Sequence, residues 1–194
     1  MSLLTQANFL LDITRTRGIV RRYFVVNGFD GALTMLGLIM GFIVSAPTDL
    51  SMVVGVCLGA AIALSMSGIS SAYISESAER KYALGELEKA MISDLHNSAH
   101  GVASRWVPLL IALVNGLAPL VISLLILSPL WLSITGINLP VPPLYAAILV
   151  ALLLTFLLGV FLGRISGVTW LRSGIQASLV AVITASLIYF FVGN

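Results

Sequence analysis

Asn27 to Gly41 reads NGFDGALTMLGLIMG, a single carboxylate, Asp30, set inside an apolar run long enough to cross a bilayer. Nothing else within the hydrophobic stretches is charged. At about 100° per residue, Asn27, Asp30, Thr34, Gly37 and Gly41 fall within roughly 80° of arc, a polar stripe that becomes a small-residue stripe. A carboxylate at membrane depth costs at least about 2.5–3.5 kcal/mol on insertion scales, so this stripe should face a partner helix or a water-filled path. Two roles are open to Asp30: a functional group in that path, or a residue near the helix start that caps or snorkels about two turns from Arg22.

The chain around this stretch is too apolar for a soluble domain. Of 194 residues, 59% are hydrophobic and 9% charged, and the mean hydropathy is +1.07. The reading is an all-α membrane protein, with residues 23–194 forming a transmembrane domain of five helices at about 24–45, 50–73, 107–128, 144–163 and 173–192. Ala46-Pro47-Thr48-Asp49 supplies a turn and an N-cap, the Pro and Gly cluster from Ser128 to Pro143 separates the third and fourth spans, and Arg164 to Arg172 makes a basic link. Residues 1–22 place Leu3, Leu4, Ala7, Leu10 and Leu11 at helical spacing ahead of Arg15, Arg17, Arg21 and Arg22, which suits an amphipathic helix lying in the interface.

The second span carries Gly55, Gly59, Ala63, Met66 and Ser70 on one face, and the GxxxG pairs Gly37/Gly41 and Gly55/Gly59 predict close helix approach at subunit and pore surfaces. This span should continue into water as a short acidic helix within residues 75–105. All ten lysines and arginines lie before the first span, between spans two and three, or between spans four and five. That bias predicts a cytoplasmic N-terminus and an external C-terminus. Without a targeting segment the expected location is a prokaryotic cell membrane.

No basic and aromatic residues interleave into a nucleic-acid patch, and Cys57, the one cysteine, reads as a core residue. No helix presents a Ser-His, paired-Asp or zinc-ligand set, so an enzyme is not expected. Metal chemistry is available instead. Asp30 is a hard oxygen ligand and Met66 a soft thioether, a mixture that shifts preference toward later transition metals such as ferrous iron, though a single Met on a helix also serves as packing. Glu76, Glu79, Glu86 and Asp94 share about 80° of arc if the acidic helix is continuous, with Glu88 off that face. They either collect cations or form a solvated face balanced by Arg80, Lys81 and Lys89. His96 and His100 are expected in a loop.

The run from Asp30 to Gly41 resembles the first-helix signature of the vacuolar iron transporter family, in which Asp-Gly is followed by Thr and then Leu-Gly-Leu. Ser65-Met66 with Tyr73 and Glu76 is similar to the family's second helix, Gly116-Leu117-Ala118-Pro119-Leu120 to its third, and Gly163-Arg164-Ile165-Ser166-Gly167 with Arg172-Ser173-Gly174 to the link between its fourth and fifth. The resemblance spans about residues 20–192. It implies a homodimer whose pore lies between the subunits and exports ferrous iron, with related ions such as manganese, cobalt and zinc, from the cytosol against protons.

By the same resemblance Asp30 is the pore carboxylate and Met66 the pore thioether; Asn27 and Thr34 join them as pore candidates from the polar stripe they share with Asp30. Glu76, Glu79, Glu86 and Glu88 resemble the family's cytoplasmic metal-collecting glutamates, and Asp94 joins them as a metal candidate from the helix face it is expected to share. No tightly bound cofactor is implied. The chain departs from the pattern in a shorter cytoplasmic segment and a longer Met66-to-Tyr73 interval. A membrane metal sensor or interaction protein that uses the acidic helix without transport is the alternative.

Overall fold

The computed structural model describes residues 17–46 and 49–193. Among them all regular structure is helical: α1 Arg17–Ser45, α2 Leu50–Met91, α3 Ala99–Ile134, α4 Pro143–Ser166 and α5 Trp170–Val192. All five are long and apolar enough to cross a membrane. The expected interfacial helix falls mostly on residues 1–16, outside the described residues, while Gly18 to Arg22 already belong to α1.

Local chemistry explains the helix ends. Asp49 accepts a hydrogen bond from the Ser51 N–H at 2.8 Å, capping α2. Pro142 and Pro143 start α4, where a missing N–H costs nothing. Gly167 ends α4 in the left-handed region at φ 69°, which lets the Val168 N–H reach the Gly163 carbonyl at 3.1 Å.

The bounds of α3 differ from expectation, while α2 ends where its run of strong helix formers ends. α3 begins at Ala99 and runs through Pro108, Pro119 and Pro129 to Ile134, so the proline-rich break starts only after Ile134. In a packed apolar bundle, neighbouring helices tolerate prolines that would end a soluble helix. α2 runs unbroken for 42 residues through the acidic segment but stops at Met91. Ile92 then takes φ 51°, turning the chain out of the helix.

The described chain divides into two compact units. One takes α1 up to Phe24 together with Met66–Leu117, and the other takes Val25–Ser65 and everything from Ala118. In the first, Ala103, Val107 and Ile111 of α3 are buried against Ile19, Val20 and Tyr23 of α1. The buried Asn115 side chain donates to the Gly68 carbonyl of α2 at 2.7 Å.

The second unit buries a larger core. Met35, Leu36 and Ile39 of α1 meet Val53 and Cys57 of α2, Ile126, Leu127 and Leu130 of α3, Ala147 and Ala151 of α4 and Ala181 of α5. Small residues set the spacing of its helices. A Cβ at Gly31 would stand 2.7 Å from Pro119 Cα. One at Gly159 would stand 2.6 Å from Ala177 Cβ, and one at Gly163 2.7 Å from Ser173 Oγ. From the other side, a Cβ at Gly174 would meet the Phe156 ring at 2.6 Å. α4 and α5 therefore form a tightly interlocked hairpin that no larger residue at these positions would permit.

Candidate metal centre

Asp30 is the fourteenth residue of a 29-residue helix, about 20 Å along the axis from either end. It is exposed, and no hydrogen-bond or ion-pair partner for it is found among the described residues. Asn27 and Thr34, on the same side, are half-buried. Further along the stripe, Gly37 packs under Ile188 of α5, where a Cβ would stand 3.3 Å from Cδ1. Gly41 faces open space.

On α2, Gly55, Gly59, Ala63, Met66 and Ser70 are all exposed, and Met66 shows 55% of its surface. No atom of the described chain lies within 4 Å of where a Cβ would stand at Gly55 or Gly59. Among the described residues these glycines pack against no neighbouring helix. Among the described residues the approaches between helices under 3.0 Å fall at Gly31, Gly159, Gly163 and Gly174, none of which the sequence singled out for packing, whereas Gly37, which it did, packs at 3.3 Å. The Gly159/Gly163 pair has the same GxxxG spacing as the pairs it did single out, so the signal was present.

The acidic segment holds two arrangements, not one carboxylate face. Glu76 is buried, at 5% exposure, in the first unit. It accepts a long hydrogen bond of 3.4 Å from the Tyr23 hydroxyl, and the Arg80 guanidinium lies 3.7 Å from its other oxygen. Glu79 and Glu86 are exposed, and Glu86 pairs with Lys89 at 2.8 Å. Asp94 does not share their helix face, because α2 ends before it; it sits in the following turn and accepts from the His96 N–H at 2.8 Å.

That turn builds the second arrangement. Glu88 accepts from the Leu95 N–H at 3.0 Å, folding residues 92–96 back over the last turn of α2. The His96 Nδ1 then lies 3.6 Å from Glu88 Oε1 and 3.8 Å from Asp94 Oδ1. All three ligand atoms fall within 4.8 Å of one another. Ligands around a first-row metal at about 2.1 Å are separated by roughly 3.0–3.4 Å, so a small inward movement would place an imidazole nitrogen and two carboxylate oxygens on one divalent ion. His96 lies in a loop as expected; His100 is instead in the first turn of α3.

No known protein-family model matches the chain. It is similar to an uncharacterized protein of Methanocaldococcus jannaschii, 29% identical over 171 residues that cover 87% of this chain and 86% of that one. No solved structure matches.

Proposed function

We propose that this chain is a divalent-metal transporter that moves ferrous iron, and related ions such as manganese, out of the cytosol in exchange for protons, along a path formed where two copies meet. The observation that carries the reading is Asp30, an exposed carboxylate midway along an apolar helix with no partner among the described residues of its own chain. Lipid does not solvate such a group, so a second copy or water must. A bare charge is disfavoured there, and either a proton or a metal ion neutralises it; exchanging one for the other couples the two fluxes. Met66 adds an exposed soft donor that favours ferrous iron over magnesium or calcium. The open faces of Gly55 and Gly59 allow a helix of a second copy to come close. The plan is that of the vacuolar iron transporters, whose first-helix signature the Asp30 run resembles.

The test is ferrous iron flux in proteoliposomes under an imposed pH gradient. Iron should accumulate in the more acidic compartment and reverse with the gradient, and Asp30→Asn should abolish the movement while Asp30→Glu keeps part of it. An Asn variant that transports at the wild-type rate with the same pH dependence would remove Asp30 from the path. The Glu88–Asp94–His96 group favours a second reading, a metal-responsive membrane protein without transport. Iron binding by the wild type with no flux under either gradient would select it.

A further inference from the structure

The start of α5 carries an amphiphilic strip that the transport reading leaves unused. Arg172 and Gln176 are one turn apart on the same side of the helix, and the same spacing leads on to Leu179 and Ile183, which are 54% and 57% exposed. Beside the polar pair, Thr169, Trp170, Leu171 and Ile175 complete a groove of about 580 Å³. The groove is shallow and open, and every residue lining it is exposed. Its position is fixed by the α4–α5 interlock, since Gly163 lets Ser173 and Trp170 lie directly against α4.

Charge decides what fits. No Asp or Glu follows Asp94 in the sequence, whereas Arg105, Arg164 and Arg172 do. Neither Arg164 nor Arg172 has an ion-pair partner among the described residues. A guanidinium in a groove walled by Leu171 and Ile175, with an exposed Trp170 beside it and bare hydrocarbon-facing residues beyond, complements a molecule with an anion at one end and an alkyl chain at the other.

We propose that this groove binds the headgroup of an anionic phospholipid. Arg172 grips the phosphate through its guanidinium fork, Gln176 hydrogen-bonds the headgroup oxygens, and one acyl chain lies along Leu179 and Ile183. A zwitterionic lipid carries the same phosphate but brings an ammonium toward Arg172, so the net-negative lipid wins. The inference rests on the membrane reading of α4 and α5 and is independent of metal transport.

Native mass spectrometry of the full chain in mild detergent, supplied with equal phosphatidylglycerol and phosphatidylcholine, tests it. The wild type should retain phosphatidylglycerol preferentially. Arg172→Gln should lower that retention about tenfold, the usual size of a lost charge-assisted contact, with Arg172→Lys in between because it keeps the charge without the fork. Arg105→Gln, an exposed arginine outside the groove, should behave as wild type, and millimolar inorganic phosphate should not displace the lipid. Equal retention of the two lipids by the wild type, or wild-type retention by Arg172→Gln, overturns the proposal. So does displacement by inorganic phosphate, which would make the groove a free-anion site.

Discussion

Tyr23 on α1 donates its hydroxyl proton to Glu76 on α2 across 3.4 Å, while Arg80, one turn along α2, lies 3.7 Å from the carboxylate's other oxygen. Glu76 thereby ties the first turns of α1 to α2 and leaves little of itself to meet an incoming ion. Glu76→Ala should destabilise the protein by about 1–3 kcal/mol, since Arg80 and Tyr23 lose a buried acceptor. Glu79→Ala and Glu86→Ala, at exposed positions, should stay within about 0.5 kcal/mol. Thermal unfolding in detergent reads the difference, and a Glu76→Ala protein as stable as wild type would return Glu76 to the metal-collecting set.

Glycines of like spacing should respond differently to bulk. At Gly59 a leucine meets no neighbouring helix among the described residues, so Gly59→Leu should fold normally yet weaken the proposed self-association or block the proposed metal flux. At Gly163 the same change drives into Ser173 and should lower stability by about 1–3 kcal/mol or more. Size-exclusion light scattering and unfolding separate the two. If Gly59→Leu leaves self-association and flux as in the wild type, the proposed subunit contact does not involve this face.

Glu88, Asp94 and His96 should hold one divalent ion together. His96→Ala or Asp94→Ala should each reduce affinity about tenfold or more, the size expected for losing one of three ligands, while Glu79→Gln leaves it unchanged. Calorimetry with manganese on the intact protein measures these affinities; equal affinity in wild type and His96→Ala would exclude the imidazole as a ligand.

Asn115 reaches Gly68 with a 2.7 Å hydrogen bond between apolar helices. Such bonds average about 0.6 kcal/mol in membrane proteins and reach roughly 1.7 kcal/mol, so Asn115→Ala should cost an amount in that range. Gly68→Leu should cost more, because a Cβ there already stands 3.2 Å from the Asn115 carbonyl oxygen. If Asn115→Ala proves the more damaging, the amide does more than join the two helices.

The five helices and the loops between them are legible from hydropathy and from Pro, Gly and Asp at the breaks, because a length and apolarity sufficient to cross a membrane are carried by each segment separately. Asp30 was legible for the same reason: one charge in such a run needs no neighbour to be noticed. α2's continuation through residues 75–91 was readable from helix formers alone.

What faces what was not. Gly55/Gly59 and Gly159/Gly163 share one spacing, yet the first pair is open and the second is filled by α5, since spacing marks a face without naming its neighbour. Glu76 and Glu79 are both glutamates of one acidic helix, and only Tyr23 and the packing around it bury the first. Glu88, Asp94 and His96 come together because α2 ends at Met91 and Ile92 turns the chain back, a local reversal that helical periodicity, extended through Asp94, would have hidden. The amino-acid order by itself determined the number of helices, their breaks and the lone carboxylate, each a property of one segment and its solvent. The tertiary structure alone decided which small residues are filled, because that depends on atoms far apart in the chain, and which carboxylates meet, because that depends on where α2 stops and the chain turns back.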